Sequence, residues 1–158
     1  PYTKEDIQSH LDKFPSIIYL NDTGITIEGM NIWGSPITPW FHDWSFNVQR
    51  GSDIAKIWAK IPNDTDIVVT HGPPYGILDK TRGGEDVGCV DLAREIKMRI
   101  KPKIHISGHI HESRGYLESG NTHYINACIC TIRYEATNKP YIAIIEDREV
   151  ISISEANN

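Results

Sequence analysis

Two short runs govern what this chain can fold into. Residues 66–70, Asp-Ile-Val-Val-Thr, and residues 103–107, Lys-Ile-His-Ile-Ser, are strand-length apolar segments, and each stops at a histidine-bearing loop. The loops read His71-Gly72-Pro73-Pro74 and Gly108-His109-Ile110-His111. A continuous run of β-branched residues suits a strand buried on both faces, which is the habit of parallel sheets covered by helices. A helix pattern lies between the runs, from about residue 90 to 100, with Leu92, Ile96 and Ile100 on one face and Pro102 closing it. Another precedes the first run, capped by Ser52 or Asp53 and reaching about residue 60, with Ile54, Ile57 and Trp58 on one face. Strands alternating with helices give an α/β fold class. Open α/β sheets place ligand sites at the carboxyl ends of their strands, so the two histidine loops are expected to meet.

The flanking segments are simpler. Residues 4–14 read as an amphipathic helix on Ile7, Leu11 and Phe14, ended by Pro15. Residues 17–20, 25–28 and 31–33 read as short strands joined by turns at Asn21–Gly24 and Gly29-Met30. A long loop follows, carrying Trp40, Phe41 and Trp44; a loop of that length is usually functional or packed by its own side chains. Beyond the second histidine loop, residues 115–118, 121–130, 141–146 and 150–154 read as a β meander.

Composition narrows the partners. With 158 residues, 39% hydrophobic, the chain supports one core and a single domain over residues 1–158. A formal charge of −5 argues against a nucleic-acid polymer, whose backbone demands clustered Lys and Arg. No apolar run approaches the ~20 residues of a membrane span, so no membrane partner is expected. Three cysteines, with Cys128 and Cys130 on one face of a strand and no CxxC pair, read as reduced thiols of a cytoplasmic protein and disfavour a structural zinc.

The chemistry centres on imidazoles. His71 and the His109/His111 pair supply neutral nitrogen ligands suited to Zn, Mn or Fe. A single histidine at a strand end is more often merely hydrogen-bonded; it is the convergence of two loops that favours metal. His105, alternating with isoleucines, reads as a hydrogen-bonded core residue, and His10 and His123 as solvated. His42 is open between a surface residue and a substrate contact. Asp43 and Asp79 are candidates for carboxylates behind the ligands, or solvated loop residues. Arg82 and Arg114 flank the loops, within reach of a phosphate or simply exposed. Asn126, in Tyr-Ile-Asn-Ala, either orients the histidine loops or bonds within the meander.

"VVTHGPP", then "HISGHIH" and "THYINACIC", resembles the second half of the calcineurin-like metallophosphoesterases. The strings "WGSPITPWFHDWSFNVQRG", "HGPPYGILDK" and "VGCVDL" are similar to a branch of metallophosphoesterase-domain proteins related to cyclic-nucleotide phosphodiesterases. The resemblance implies the C-terminal part of a four-layer α-β-β-α sandwich with mixed sheets. It further implies two divalent metal ions, Mn, Fe, Zn or Mg, with His71 and His109 on one and His111 on the other. The DxH, GDxxD and GNH motifs that would supply the bridging Asp, an Asn ligand and the acid histidine are not in these residues, and the resemblance places them upstream. The implied activity is hydrolysis of a small phosphorylated substrate, a nucleotide-like phosphodiester, by a two-metal-activated water. The alternative is a noncatalytic nucleotide-binding or interaction domain lacking the N-terminal ligands.

Overall fold

The computed structural model describes residues 4–157. Ten strands and three α-helices follow in order: α1 (Lys4–Leu11), β1 (Thr23–Ile27), β2 (Met30–Ser35), β3 (Thr38–Pro39), β4 (Asn47–Val48), α2 (Ser52–Trp58), β5 (Ile67–Thr70), α3 (Val90–Glu95), β6 (Ile104–Ser107), β7 (Gly115–Ser119), β8 (Thr122–Asn126), β9 (Tyr141–Glu146) and β10 (Glu149–Glu155). Six of them form one mixed sheet in the order β1-β2-β5-β6-β8-β7. The central four run parallel and the two edges antiparallel. Connections through α2 and α3 make the parallel pairing possible, because parallel strands need a long crossover.

Register decides which side chains share a face. Trp33, Val68, His105 and Tyr124 lie side by side across the four parallel strands. This row meets the helices, packing with Ile54, Trp58, Leu92, Ile96 and Ile100 into one core. Each fully buried Ile or Leu in it contributes about 1.5–3 kcal/mol. The Leu92, Ile96, Ile100 stripe is buried as its spacing predicts. The α conformation stops at Glu95, however, and residues 96–100 continue as a wider π turn that ends at Lys101 in a left-handed conformation.

The opposite face carries Ile32, Ile67, Val69 and Ile106, all only half-buried. It looks onto the β9–β10 hairpin across an open cleft of about 820 Å³ lined in part by Met30, Ile32, Ile67 and Ile145. One clasp crosses that cleft: the Arg148 guanidinium donates to both carboxylate oxygens of Asp66, at 2.9 and 2.8 Å, and to the Gly29 carbonyl. Helices, mixed sheet and hairpin thus stack in the α-β-β order of the expected α/β sandwich.

Four expectations require correction. Residues 17–20 form no strand; Ile17, Ile18 and Tyr19 are exposed. The stripe on α1 is not buried either, since Ile7 and Phe14 face solvent. Helix α2 is preceded by Gly51 with no side-chain cap, so neither Ser52 nor Asp53 performs that role. There is no single meander: β8 pairs in parallel with β6, and β9–β10 is a separate sheet.

Candidate functional site

The last register positions of the parallel strands carry polar side chains where apolar ones would be expected. Ser35, Thr70, Ser107 and Asn126 are all buried, on the same face as the core row. Buried polar groups need partners, and for Ser35, Thr70 and Asn126 these include loop residues around the strand ends. Thr70 Oγ1 donates to the Gly72 carbonyl at 2.7 Å and accepts from His105 Nε2 at 2.9 Å. That pairing fixes the His105 tautomer with its proton on Nε2. His105 is the buried, hydrogen-bonded residue its alternation with isoleucine predicts, and burial drives its pKa down to about 3. The Ser35 hydroxyl donates to Asp22 and accepts from the Ile37 amide.

Held this way, the two histidine loops meet. The Gly108 amide donates to the His71 carbonyl at 3.0 Å, and His71 Nε2 faces His109 Nδ1, also at 3.0 Å. His109 reaches this position through a left-handed backbone, φ 69°, a conformation uncommon for any residue with a Cβ. Burial lowers the His71 pKa, and lowers that of His109, where the neighbouring His71 and His111 add to the effect and Glu112 opposes it. Both rings therefore favour the neutral form, which is the form that ligates metal.

His111 stands apart from this pair. Its Nδ1 donates to the Thr131 carbonyl at 2.9 Å, leaving Nε2 as its free ligand atom, and its ring lies edge-on to Tyr134. Among the described residues no group of three or more His, Cys, Asp and Glu side chains is arranged to hold an ion. What the chain does present fits one ion at the paired rings. His71 Nε2 and His109 Nδ1 lie at hydrogen-bond distance, 3.0 Å, so without metal one ring donates to the other. Two nitrogens about 2.1 Å from a tetrahedral ion would lie about 3.4 Å apart, so a small separation of the rings admits one.

The other singled-out residues sort themselves by their partners. Asp79 is buried, but its carboxylate accepts from the Gly76 and Gly88 amides of its own loop, so it is not a carboxylate behind an imidazole. Arg114 is occupied by Glu155, the Lys139 carbonyl and the Tyr141 ring, and is not disposed toward a phosphate. Arg82 is exposed, its amide donating to Glu112. His42 lies beside Phe41 in the exposed aromatic loop, and His123 hydrogen-bonds the Tyr116 hydroxyl. Asp43 is exposed. Trp44 packs edge-on against Phe41 of its own loop, with ring centroids 5.4 Å apart, and also sits edge-on to His109 at 6.0 Å. All three cysteines are free, and among the described residues no helix is long and apolar enough to cross a membrane.

The model of the calcineurin-like phosphoesterase family matches residues 2–113, well over half of the chain. The chain belongs to that family. Among proteins of this calcineurin-like phosphoesterase kind, the metallophosphoesterase domain-containing protein 1 of Homo sapiens is 42% identical over 143 residues, which cover 90% of this chain and 43% of that protein. A UPF0046 protein of Caenorhabditis elegans is 39% identical over 130 residues, covering 82% of this chain and 44% of its own length. The chain thus spans less than half the length of these curated relatives. Solved structures agree on the fold. One crystal structure, 17% identical, superposes with a TM-score of 0.63 over 96% of this chain and 60% of its own. TT1561 of Thermus thermophilus, 13% identical, does so with a TM-score of 0.51 over 96% and 66%.

Proposed function

We propose that this chain supplies the histidine side of a metal-dependent phosphoester hydrolase centre acting on a small phosphorylated substrate, a nucleotide-like phosphodiester. The observation that carries this reading is the pair of neutral imidazoles, His71 Nε2 and His109 Nδ1, facing each other at 3.0 Å at the carboxyl ends of adjacent parallel strands. Family membership supports it. His71 and His109 would hold one divalent ion, and His111, through Nε2, a second. A pair of such ions supplies an activated water and a positive clamp on phosphate oxygens. The chain's own part is to keep the rings neutral by burial, to fix the His111 tautomer through Thr131, and to hold the His71 loop through Thr70 and His105.

The test is metal retention. The protein, loaded with Zn²⁺ or Mn²⁺ and dialysed, should lose bound metal on His71→Ala and on His109→Ala, because each removes a ligand nitrogen that water replaces poorly. His111→Ala should lower a separate class of site. His10→Ala and His123→Ala should leave metal content unchanged. Retention by the His71 and His109 variants, or equal loss in both controls, refutes the assignment. Turnover of bis-p-nitrophenyl phosphate is the matching assay for a protein of the relatives' full length, with metal dependence and sensitivity to His109→Ala expected together.

A further inference from the structure

Asn126 ends β8 with no exposed surface at all, between Ser107 of β6 and Gly115 of β7. Its amide makes three bonds whose partners fix its orientation. Nδ2 donates to the Ile110 carbonyl at 2.8 Å and to the Leu78 carbonyl at 3.1 Å, while Oδ1 accepts from the Cys128 amide at 3.3 Å. Ile110 is the residue between His109 and His111. Its carbonyl is therefore the point from which both rings hang, one on either side.

The second partner is a fixed post. Leu78 lies in the loop closed by Asp79, whose buried carboxylate accepts from the Gly76 amide at 2.9 Å and the Gly88 amide at 2.8 Å. Only glycine fits at position 88, since a Cβ there would come within 2.5 Å of the Pro74 backbone. That loop is thus clamped by its own buried charge and a close backbone approach. The Gly108–His111 loop is held to its neighbours by the Gly108 amide on the His71 carbonyl and by His111 Nδ1 on the Thr131 carbonyl. It carries His109 in a left-handed conformation, and Asn126 adds the tie to the Leu78 loop. We infer that Asn126 is a positioning residue: its buried amide braces the Ile110 carbonyl, and with it the His109 and His111 rings, against the Asp79-anchored loop. The inference rests on the metal reading of those rings and deepens it. Groups behind the ligands of a metal site change affinity about 10–100-fold when removed, and a brace on the shared carbonyl belongs to that class.

The experiment compares Asn126→Ala with Thr122→Ala. Thr122 is a buried residue at the other end of the same strand, bonded to the Pro102 carbonyl and remote from both loops, so it matches for stability without touching the brace. Co²⁺ alone is the probe, read by its d–d absorption and by equilibrium titration. Amide exchange is measured in metal-free protein at Ser113, whose N–H also bonds the Ile110 carbonyl. Asn126→Ala should speed exchange at Ser113, weaken Co²⁺ binding about tenfold or more and alter its spectrum, while Thr122→Ala leaves all three as in the wild type. If Asn126→Ala does not fold, Asn126→Asp takes its place. It keeps an acceptor for Cys128 and loses the donors to Leu78 and Ile110, so the same three changes are expected. Wild-type affinity and spectrum in a folded Asn126 variant overturn the positioning role and leave the metal reading standing. A wild-type protein that binds no Co²⁺ overturns both. Equal loss of affinity in Thr122→Ala shows general destabilisation and overturns the brace.

Discussion

His109 is a residue whose backbone and side chain want different things, and separating them gives a sharp prediction. With φ at 69°, the position suits glycine, whereas a residue with a Cβ is destabilised there by roughly 1–2 kcal/mol. Glycine's extra freedom in the unfolded chain offsets about 0.4–1 kcal/mol of that difference. Both His109→Gly and His109→Ala lose the same ring contacts, the 3.0 Å approach to His71 and the edge contact with Trp44. Their difference therefore isolates the backbone. The glycine variant should be the more stable by about 1 kcal/mol, or about 2–4 °C in Tm for a domain of this size. Urea unfolding in chelator, with equal m-values, measures it. Adding divalent metal should then raise the wild type more than either variant, the ion at the paired rings contributing about 2.7 kcal/mol at a hundredfold excess over its Kd. An alanine variant equal to or more stable than the glycine one would show that the chain at 109 is not left-handed in solution, and the site geometry built on it would fall.

Further outcomes follow from the buried polar groups and the hairpin. His105 titrates near 3 when folded and near 6.5 when unfolded, so its contribution to stability is complete above pH 6.5 and is lost as pH falls toward 3. Between pH 7 and 5 the wild type should lose about 2 kcal/mol more than His105→Gln, and parallel stability profiles would contradict this. Arg148→Ala unclasps the β9–β10 hairpin from Asp66, leaving that mostly buried carboxylate with the Asn31 amide; a loss of about 1–2 kcal/mol and faster proteolysis within residues 141–155 are expected. Ile142, Ile144 and Ile151 are 48%, 48% and 57% exposed on that hairpin. Concentration-dependent association in sedimentation should weaken on Ile144→Lys, and an unchanged profile would show that the hairpin face is not the sticky surface.

What the sequence discloses of this molecule depends on how local the cause is. The strands β5 and β6 and the Leu92, Ile96, Ile100 stripe were legible because their patterning is contained within each segment, although the face of the strands that bears Ile67, Val69 and Ile106 is only half-buried. The meeting of His71 with His109 was legible one step further, through the rule that parallel strands open their sites at one end. Residues 17–20 misled because β-branched residues favour a strand only where a partner pairs with them, and here none does. The parallel pairing of β8 with β6 was hidden for a related reason, since a strand's own residues do not reveal its neighbour's direction. Asp79 looked like a loop carboxylate because nothing in its surroundings announces two amides turned toward it. Asn126 is open in the sequence between orienting the histidine loops and bonding within the meander, and its donors go to the Ile110 and Leu78 carbonyls. Thr70 reads as an ordinary β residue, and only the register showed that it ends its strand under the site.

The parallel arrangement also bears on time. His71 and His109 are separated by 38 positions and face each other only once β5 and β6 have paired around the α3 crossover. Contacts of such long range form late in folding, because the intervening loop must close before any of them is rewarded. An ion held between the two rings can therefore do little for the rate at which the chain folds. It acts on the return journey, since interactions absent from the transition state slow unfolding in proportion to the stability they add. In this protein metal would lengthen the lifetime of the native state while leaving its birth rate untouched.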